Sequence, residues 1–224
     1  STRFDQARGF YRTRSYGGAF IHSRGFGLNF RRGYRQGGFA HIFWGIDATN
    51  MKHPQEFRRS NPFSDDGRGY IYGKVNNVYI LRPHFGRVKE LFGKERQRGV
   101  QISYTYGIGP SLGFYKPIFM EIERDDDQKG TQNIRYNPDI HSDDRIRGKA
   151  PFFVGTDKTN VNPGAFGKVA MMFEYSAYDE TIRALELGIN TDLYFRNIPI
   201  LEYTYSRQLY TTVYLNLFFG KKYL

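Results

Sequence analysis

Apolar and polar side chains alternate along much of this chain with a period of two residues. In the segment 182–195, for example, Leu185, Leu187 and Ile189 share one face, and Glu186 and Asp192 lie on the other. This period places successive side chains on opposite faces of a β-strand. The most regular alternation predicts strands over residues 99–107, 168–177, 182–195 and 210–220.

Four further segments alternate less regularly and bring the predicted number of strands to eight: 16–31, 39–48, 70–82 and 111–123. We expect a bulge near residues 24–25, and a bulge or strand break where Lys116 and Pro117 interrupt the pattern, because proline has no N–H to donate to a ladder. Tight turns are predicted at 107–111 and 178–181. The long connections are 51–68 and 124–165, and the second of these is rich in polar and charged residues.

The alternation does not say which face of such strands is buried, because a soluble barrel and a membrane barrel have opposite arrangements. The polar faces carry isolated charges among small residues, and the apolar faces carry Leu, Ile, Val and Phe with Tyr and Trp toward the strand ends. This pattern is typical of a membrane barrel with interfacial aromatic residues. The alternative is a soluble β-sandwich or lipocalin-like barrel.

We therefore predict an all-β fold, in which eight antiparallel strands close into a transmembrane β-barrel. Residues 1–15 form a basic lead-in and residues 16–224 a single barrel domain, with 124–165 as a long extracellular loop. If both termini are periplasmic, the connection 51–68 is an unusually long periplasmic turn, which counts against the scheme, because such turns are short.

Each face of the predicted strands has its own candidate residues. The charged residues on the polar face are expected to form a network in the lumen, because an eight-stranded barrel is just wide enough for side chains to fill it. Its members are Arg24, Asp47, Arg82, Lys168, Glu174, Glu186 and Asp192. The lipid-facing candidates are Ile42, Trp44, Leu185, Leu187, Ile189, Val213, Leu215 and Leu217. A structural plug is the favoured interpretation of the network, and a proton or ion path is the alternative.

Composition and charge narrow the possible partners. The chain of 224 residues has no cysteine, which excludes a disulfide framework and any thiolate site. No stretch of about 18 apolar residues occurs, so no transmembrane helix is predicted, and a start at Ser1 fits a chain whose signal peptide has been removed. The net charge of +11 suits anionic lipid headgroups or nucleic acid.

The basic N-terminal region is the main argument for nucleic acid. The run Arg24-Gly25-Phe26-Gly27 copies the start of an RNA-binding signature and then departs from it at Leu28. We therefore interpret residues 16–31 as the first strand, with its flanking arginines near lipid phosphates, and predict no nucleic-acid partner.

Candidate chemistry is sparse. Asp125, Asp126 and Asp127 are candidates for Ca²⁺ ligands, although they lack the spacing of an EF-hand loop, and a solvated surface loop is the favoured interpretation. His41 is expected in the lumen near Asp47, and mutation of either residue should abolish turnover if the barrel is an enzyme. His22 and Ser23 are adjacent and so point to opposite faces of a strand. No catalytic motif is present, and we predict neither an enzyme nor a cofactor.

Some segments resemble a known class of protein. The amphipathic last strand with its Gly-Lys-Lys-Tyr ending at 220–223 is similar to the C-terminal strand that the outer-membrane assembly machinery recognises, although Leu224 follows the aromatic residue. Together with segments 72–83 and 111–122, it resembles small outer-membrane proteins of Bacteroidota, several of which serve the type IX secretion machinery. The resemblance implies a bacterial outer-membrane subunit that contacts lipid or lipopolysaccharide.

The function expected from this resemblance is to anchor or scaffold a larger envelope complex with protein partners. The alternatives are a small porin or lipid-modifying barrel enzyme, and a soluble nucleic-acid-binding β protein.

Overall fold

Eight long antiparallel strands dominate the computed structural model of the chain. It describes residues 11–37, 39–56, 58–59, 70–93, 99–123, 131–138, 146–178, 180–200 and 207–224. The strands are β1 (Thr13–His22), β2 (Gly25–Arg35), β3 (Ala40–Met51), β4 (Asn76–Phe92), β5 (Gln101–Pro117), β6 (Asn160–Glu174), β7 (Thr181–Tyr194) and β8 (Leu209–Tyr223).

Each strand pairs with its neighbours in sequence, and the first strand also pairs with the last, so that the sheet closes into a barrel. In the closing seam Thr13 lies opposite Tyr223 and His22 lies opposite Tyr214. Every strand of the barrel therefore has two partners, and the barrel has no open edge. The predicted fold class, an eight-stranded antiparallel barrel, is confirmed.

Two of the predicted strands have different limits. The segment 16–31 forms β1 and β2, because His22 lies opposite Gly25 and only Ser23 and Arg24 connect them. The segments 99–107 and 111–123 contribute to one strand, β5, so the predicted turn at 107–111 is wrong. The total of eight strands was right only because these two errors cancel.

Close packing explains why turn-forming residues occur inside β5. A Cβ atom added to Gly109 would lie 2.2 Å from the carbonyl oxygen of Pro83 on β4, so that position requires glycine. Pro83 also lies opposite Pro110. The paired positions of β4 and β5 stop at Leu81–Leu112 and resume in the same register at Phe85–Ile108. Neither proline can donate to the ladder, and the strand continues past both.

The two ends of the barrel differ in the length of their connections. We call the end where β1 begins and β8 finishes the terminal end; it carries the connections 36–39, 93–100 and 175–180. The other end, the loop end, carries the turn 23–24 and the long connections 52–75, 118–159 and 195–208. The expectation that 51–68 lies with the short turns was therefore wrong, and it followed from counting β1 and β2 as one strand.

The predicted loop 124–165 is partly ordered into secondary structure. Thr131–Arg135 and Ile146–Lys149 flank Phe119–Glu123 in a three-stranded sheet, which we call the cap sheet, and Asn160 already belongs to β6. Ile118, Met120, Ile122, Tyr136 and Ile146 form its buried core. The loop end therefore carries a small folded unit with its own apolar core.

The remaining elements are short. Arg58–Arg59 pair with Tyr70–Ile71, and Thr156–Lys158 form a 3-10 turn. No helix among the described residues has the length and apolarity that crossing a membrane would require. The predicted lead-in 1–15 overlaps the barrel, because β1 begins at Thr13.

Candidate functional site

The barrel has polar side chains inside and apolar side chains outside. On β7, Glu186 is fully buried in the lumen, whereas the next residue, Leu187, is 51% exposed on the outer wall. The candidates for lipid contact all occupy outward positions of β3, β7 and β8, where Leu185 is half-buried and the other seven are exposed. A water-soluble barrel has the opposite distribution, so this is the surface of a transmembrane β-barrel.

A buried ion pair spans the centre of the lumen. Arg31 on β2 donates two hydrogen bonds to Glu186 on β7, with N–O distances of 2.6 and 2.7 Å. The hydroxyl of Tyr214 donates a third hydrogen bond to Glu186, at 2.6 Å. The guanidinium lies over the rings of Phe43 and Phe218, 5.1 and 4.5 Å from their centroids. This two-point contact holds opposite walls of the barrel together.

A second two-point pair joins β4 to β7. Arg82 donates to Asp192 at 2.9 and 2.6 Å, and the hydroxyl of Ser111 donates to the same carboxylate at 2.7 Å. The hydroxyls of Ser111 and Tyr194 are themselves hydrogen-bonded at 2.9 Å. The carboxylate of Asp192 therefore accepts hydrogen bonds from two strands, β4 and β5.

Lysines complete the charge balance. Lys168 donates to Asp47 at 3.1 Å, and the Nε2 atom of His84 lies 3.9 Å from the same carboxylate. Near the terminal end, Lys222 donates to Glu174 at 2.7 Å. Arg14 lies between Glu90 and Glu174, at 3.3 and 3.9 Å. Each of the five acids at inward positions of the barrel strands therefore has a cationic partner.

Six of the seven residues that the sequence placed in the lumen network are buried at inward positions: Asp47, Arg82, Lys168, Glu174, Glu186 and Asp192. Arg24 differs, because it lies in the turn between β1 and β2, 5.3 Å from the centroid of the Tyr210 ring. Arg31 was missed, because it lies at the end of the predicted strand 16–31 and was assigned to neither face. The alternation of Phe26, Leu28 and Phe30 with Arg31 on the other face could have identified it.

Apolar side chains close the lumen on both sides of the charges. Toward the loop end, Ile198 and Ile200 fold back into the barrel mouth and pack against Met51, Val78 and Tyr210. The backbone N–H of Val75 donates to the carbonyl of Ile200 at 3.1 Å and fixes this plug in place.

Toward the terminal end, a second buried cluster fills the lumen: Tyr16, Phe43, Val88, Met172, Ile182, Ala184 and Phe218. The cavity beside it, which Arg14, His41 and Glu174 help to line, has a volume of about 10 Å³. That is room for about one water molecule. Among the described residues, apolar side chains therefore close the lumen on both sides of the charges.

The catalytic and metal candidates do not assemble into a site in the described part of the chain. His41 lies 4.0 Å from Glu90 near the terminal end, not beside Asp47 as expected. Ser23 lies in a turn, and His22 contacts the hydroxyl of Thr49 at 2.8 Å. The described residues contain no group of three or more His, Asp or Glu side chains able to hold a metal ion. Asp125, Asp126 and Asp127 lie outside the described residues.

The outer wall has a charge pattern of its own. The charged residues at outward positions of the eight strands are all basic: Arg32, Arg87, Lys89, Lys116, Arg183 and Lys221. Lys116 lies near the loop end and is buried, with its Nζ atom 4.2 Å from the centroid of the Phe152 ring, whereas the other five are exposed toward the terminal end. The outward positions between Lys116 and these five residues are uncharged and mainly apolar, as expected for a hydrocarbon-facing belt with basic residues at one margin.

At the loop end, a basic cluster lies where the cap sheet meets the barrel. Lys74 pairs with Glu56 at 2.7 Å. The pKa of Lys149 is lowered by its partial burial and by repulsion from Lys74 and Lys116. This end of the molecule therefore combines an apolar core with concentrated positive charge.

Comparison with known proteins finds solved structures that resemble this chain, but no protein that matches it in sequence. No protein-family model matches the chain, and no curated protein matches it. Among solved structures, Ail, the attachment invasion locus protein of Yersinia pestis, is 8% identical in its complex with the heparin analogue sucrose octasulfate. The alignment covers 96% of this chain and 99% of that chain, with a TM-score of 0.46.

Two further structures are similar to a lesser degree. A second crystal structure of Ail is 7% identical and covers 96% of this chain and 99% of its own, with a TM-score of 0.44. Neisserial surface protein A is 11% identical and covers 96% and 97%, with a TM-score of 0.38. The assignment of the fold rests on the strand pairing and on the two faces of the wall described above.

Proposed function

We propose that this chain is a non-catalytic β-barrel of a bacterial outer membrane. The apolar outer wall around a charged lumen carries this proposal, because such a surface is stable only when hydrocarbon covers it. The exposed basic margin at the terminal end supports contact with anionic lipid headgroups, and contact with lipopolysaccharide stays a prediction.

The orientation follows from the lengths of the connections. Short turns face the periplasm in bacterial barrels, and longer loops face outward. We therefore infer that the terminal end is periplasmic and that the loop end, with the cap sheet, is extracellular. The barrel then holds the cap sheet at the outer surface of the membrane.

The filled lumen makes the barrel an anchor, not a channel. Residues 198–200 occupy the mouth, and the Arg31–Glu186 and Arg82–Asp192 pairs cross the interior. Because these contacts occupy the lumen, the surfaces left for binding are the cap sheet and the outer wall. We infer that the protein acts through them. The narrower role, anchoring of a larger envelope assembly such as the type IX secretion machinery of Bacteroidota, rests on the sequence resemblance alone and stays a prediction.

Fractionation and electrophoresis test the barrel proposal, and planar bilayers test the sealed lumen. We expect the protein in the outer-membrane fraction, with unboiled protein migrating faster than boiled protein. We also expect no stepwise conductance from folded protein. Steady conductance would instead favour a small porin. Recovery in the soluble fraction with no heat-dependent shift would contradict the membrane assignment and favour the soluble nucleic-acid-binding alternative.

Affinity purification from outer membranes tests the scaffold role. We expect envelope proteins to co-purify with the wild-type chain and to be lost when the segment 131–149 of the cap is replaced by a short Gly-Ser linker that leaves the barrel folded. Equal recovery of partners by both forms would contradict a role for the cap.

A further inference from the structure

A groove runs along the outer wall near the terminal end, across β3, β4 and β5. Its volume is about 760 Å³, and its lining includes Phe39, Arg87, Lys89, Leu91, Tyr104 and Tyr106. We call it the outer groove. It lies outside the sealed lumen, on the part of the wall where the apolar belt gives way to the basic margin.

Cations and aromatic rings are matched across the floor of the outer groove. In the pairing of β4 with β5, Arg87 lies opposite Tyr106 and Lys89 lies opposite Tyr104. The two tyrosine rings are 6.0 Å apart, and both are partly exposed. Arg87 and Lys89 are exposed at outward positions.

The described lining of the outer groove has positive charge without compensation. Its charged members are Arg87 and Lys89, and it contains no acid. The neighbouring Glu90 points into the lumen, where it pairs with Arg14 at 3.3 Å. A bound anion would therefore meet two cations, which a phosphate group matches by charge.

The apolar wall beside the outer groove indicates what the anion is attached to. On the belt side of the two cations, Phe85 and Ile108 lie opposite each other and are 70% and 74% exposed. A free phosphate would leave these surfaces uncovered, whereas an acyl chain would cover them. We propose that the outer groove binds a phospholipid with an anionic headgroup, whose phosphate contacts Arg87 and Lys89 and whose acyl chain lies along Phe85 and Ile108. This inference rests on the proposed membrane location.

Native mass spectrometry of the folded barrel in detergent tests the proposal with phosphatidylglycerol as the probe. The test variant is Arg87→Gln/Lys89→Gln. The matched control is Arg183→Gln/Lys221→Gln, which removes two outward cations at the same end but away from the groove. Each basic residue near an anionic lipid contributes appreciably to binding. We therefore expect retention of the lipid to fall on the order of tenfold or more in the test variant and to stay near the wild-type level in the control.

Three further arms separate the possible outcomes. Glycerophosphoglycerol, which lacks acyl chains, should not be retained, and phosphatidylcholine should be retained less than phosphatidylglycerol. Equal loss in both double variants, or equal retention of both lipids, would overturn the site. Insertion of each protein into vesicles is measured on the same samples. A wild-type protein that fails to insert would refute the membrane proposal itself, whereas normal insertion without selective retention would refute only the lipid site.

Discussion

At the scale of single residues, the interior depends on charges that are stable only in pairs. Arg31 and Glu186 are both fully buried, and each is the main partner of the other. An ion left alone at such a position keeps its cost of desolvation and loses the attraction that offsets it. Gly45 makes the arrangement possible, because a Cβ atom there would lie 2.9 Å from Cγ of Arg31.

Removal of one partner should therefore cost more than removal of both. We expect Arg31→Met and Glu186→Gln each to lower the free energy of unfolding by about 3–5 kcal/mol. The double variant Arg31→Met/Glu186→Leu should recover most of that loss, because no buried charge remains unpaired. Urea unfolding in lipid vesicles, followed by gel migration, measures the effect.

Arg32 provides the control for this experiment, because it is the next residue and lies on the outer wall. Arg32→Met should change stability little. Equal losses in Arg31→Met and Arg32→Met would contradict the assignment of the two faces of β2.

The residue scale also shows where prediction from sequence stops. Alternation on β7 was enough to place Glu186 and Asp192 on the face opposite Leu187. It could not say which cation each acid meets, because Arg31 and Glu186 are separated by 155 positions in the sequence. That partner is set by the closure of the barrel, and closure depends on every strand having the right limits.

At the scale of elements, residue types that are typical of turns gave wrong strand limits. Gly107, Gly109 and Pro110 have the composition of a turn, yet they lie within β5 because the adjacent strand requires a close approach. Ser23 and Arg24 lack the glycine or asparagine of the favoured two-residue hairpins, yet they form one. Alternation predicted β7 and β8 almost to their limits and the second half of β6. Prediction failed where tertiary packing decided the conformation.

The apolar belt gives a prediction for a whole strand. Leu187 lies at the middle of β7 on the outer wall, whereas Arg183 lies near its beginning on the same face. We expect Leu187→Arg to lower the free energy of unfolding by about 2–4 kcal/mol, because it places a charge near the middle of the bilayer. Arg183→Leu should change it by much less.

Unfolding of each variant in lipid vesicles and in detergent micelles shows whether the bilayer causes the loss of stability. A loss for Leu187→Arg that depends on the thickness of the bilayer would support the belt. The same loss for substitutions at both positions would contradict it.

At the scale of the whole molecule, the two ends differ in their connections and in their exposed side chains. The terminal end carries short connections and basic side chains, and the loop end carries the cap sheet with exposed Phe152 and Phe153. The corrected limits of β1 and β2 put all three long connections at one end. This removes the unusually long periplasmic turn that the sequence alone required.

Cysteine labelling tests the orientation with little background, because the chain has no cysteine of its own. Phe153 at the loop end is 83% exposed, and Tyr178 at the terminal end is 75% exposed. We expect a membrane-impermeant maleimide to label Phe153→Cys on intact cells, and Tyr178→Cys only after the outer membrane has been permeabilised. The reverse pattern would show that the barrel is inserted in the opposite direction.

The ion pairs that cross the lumen also constrain the order of events during insertion. Arg31 on β2 can reach Glu186 only after β7 has joined the sheet, so a half-built sheet would carry bare charges into hydrocarbon. Strands cannot enter the bilayer one at a time without that cost. We therefore expect insertion of the barrel to be coupled to assembly of its sheet.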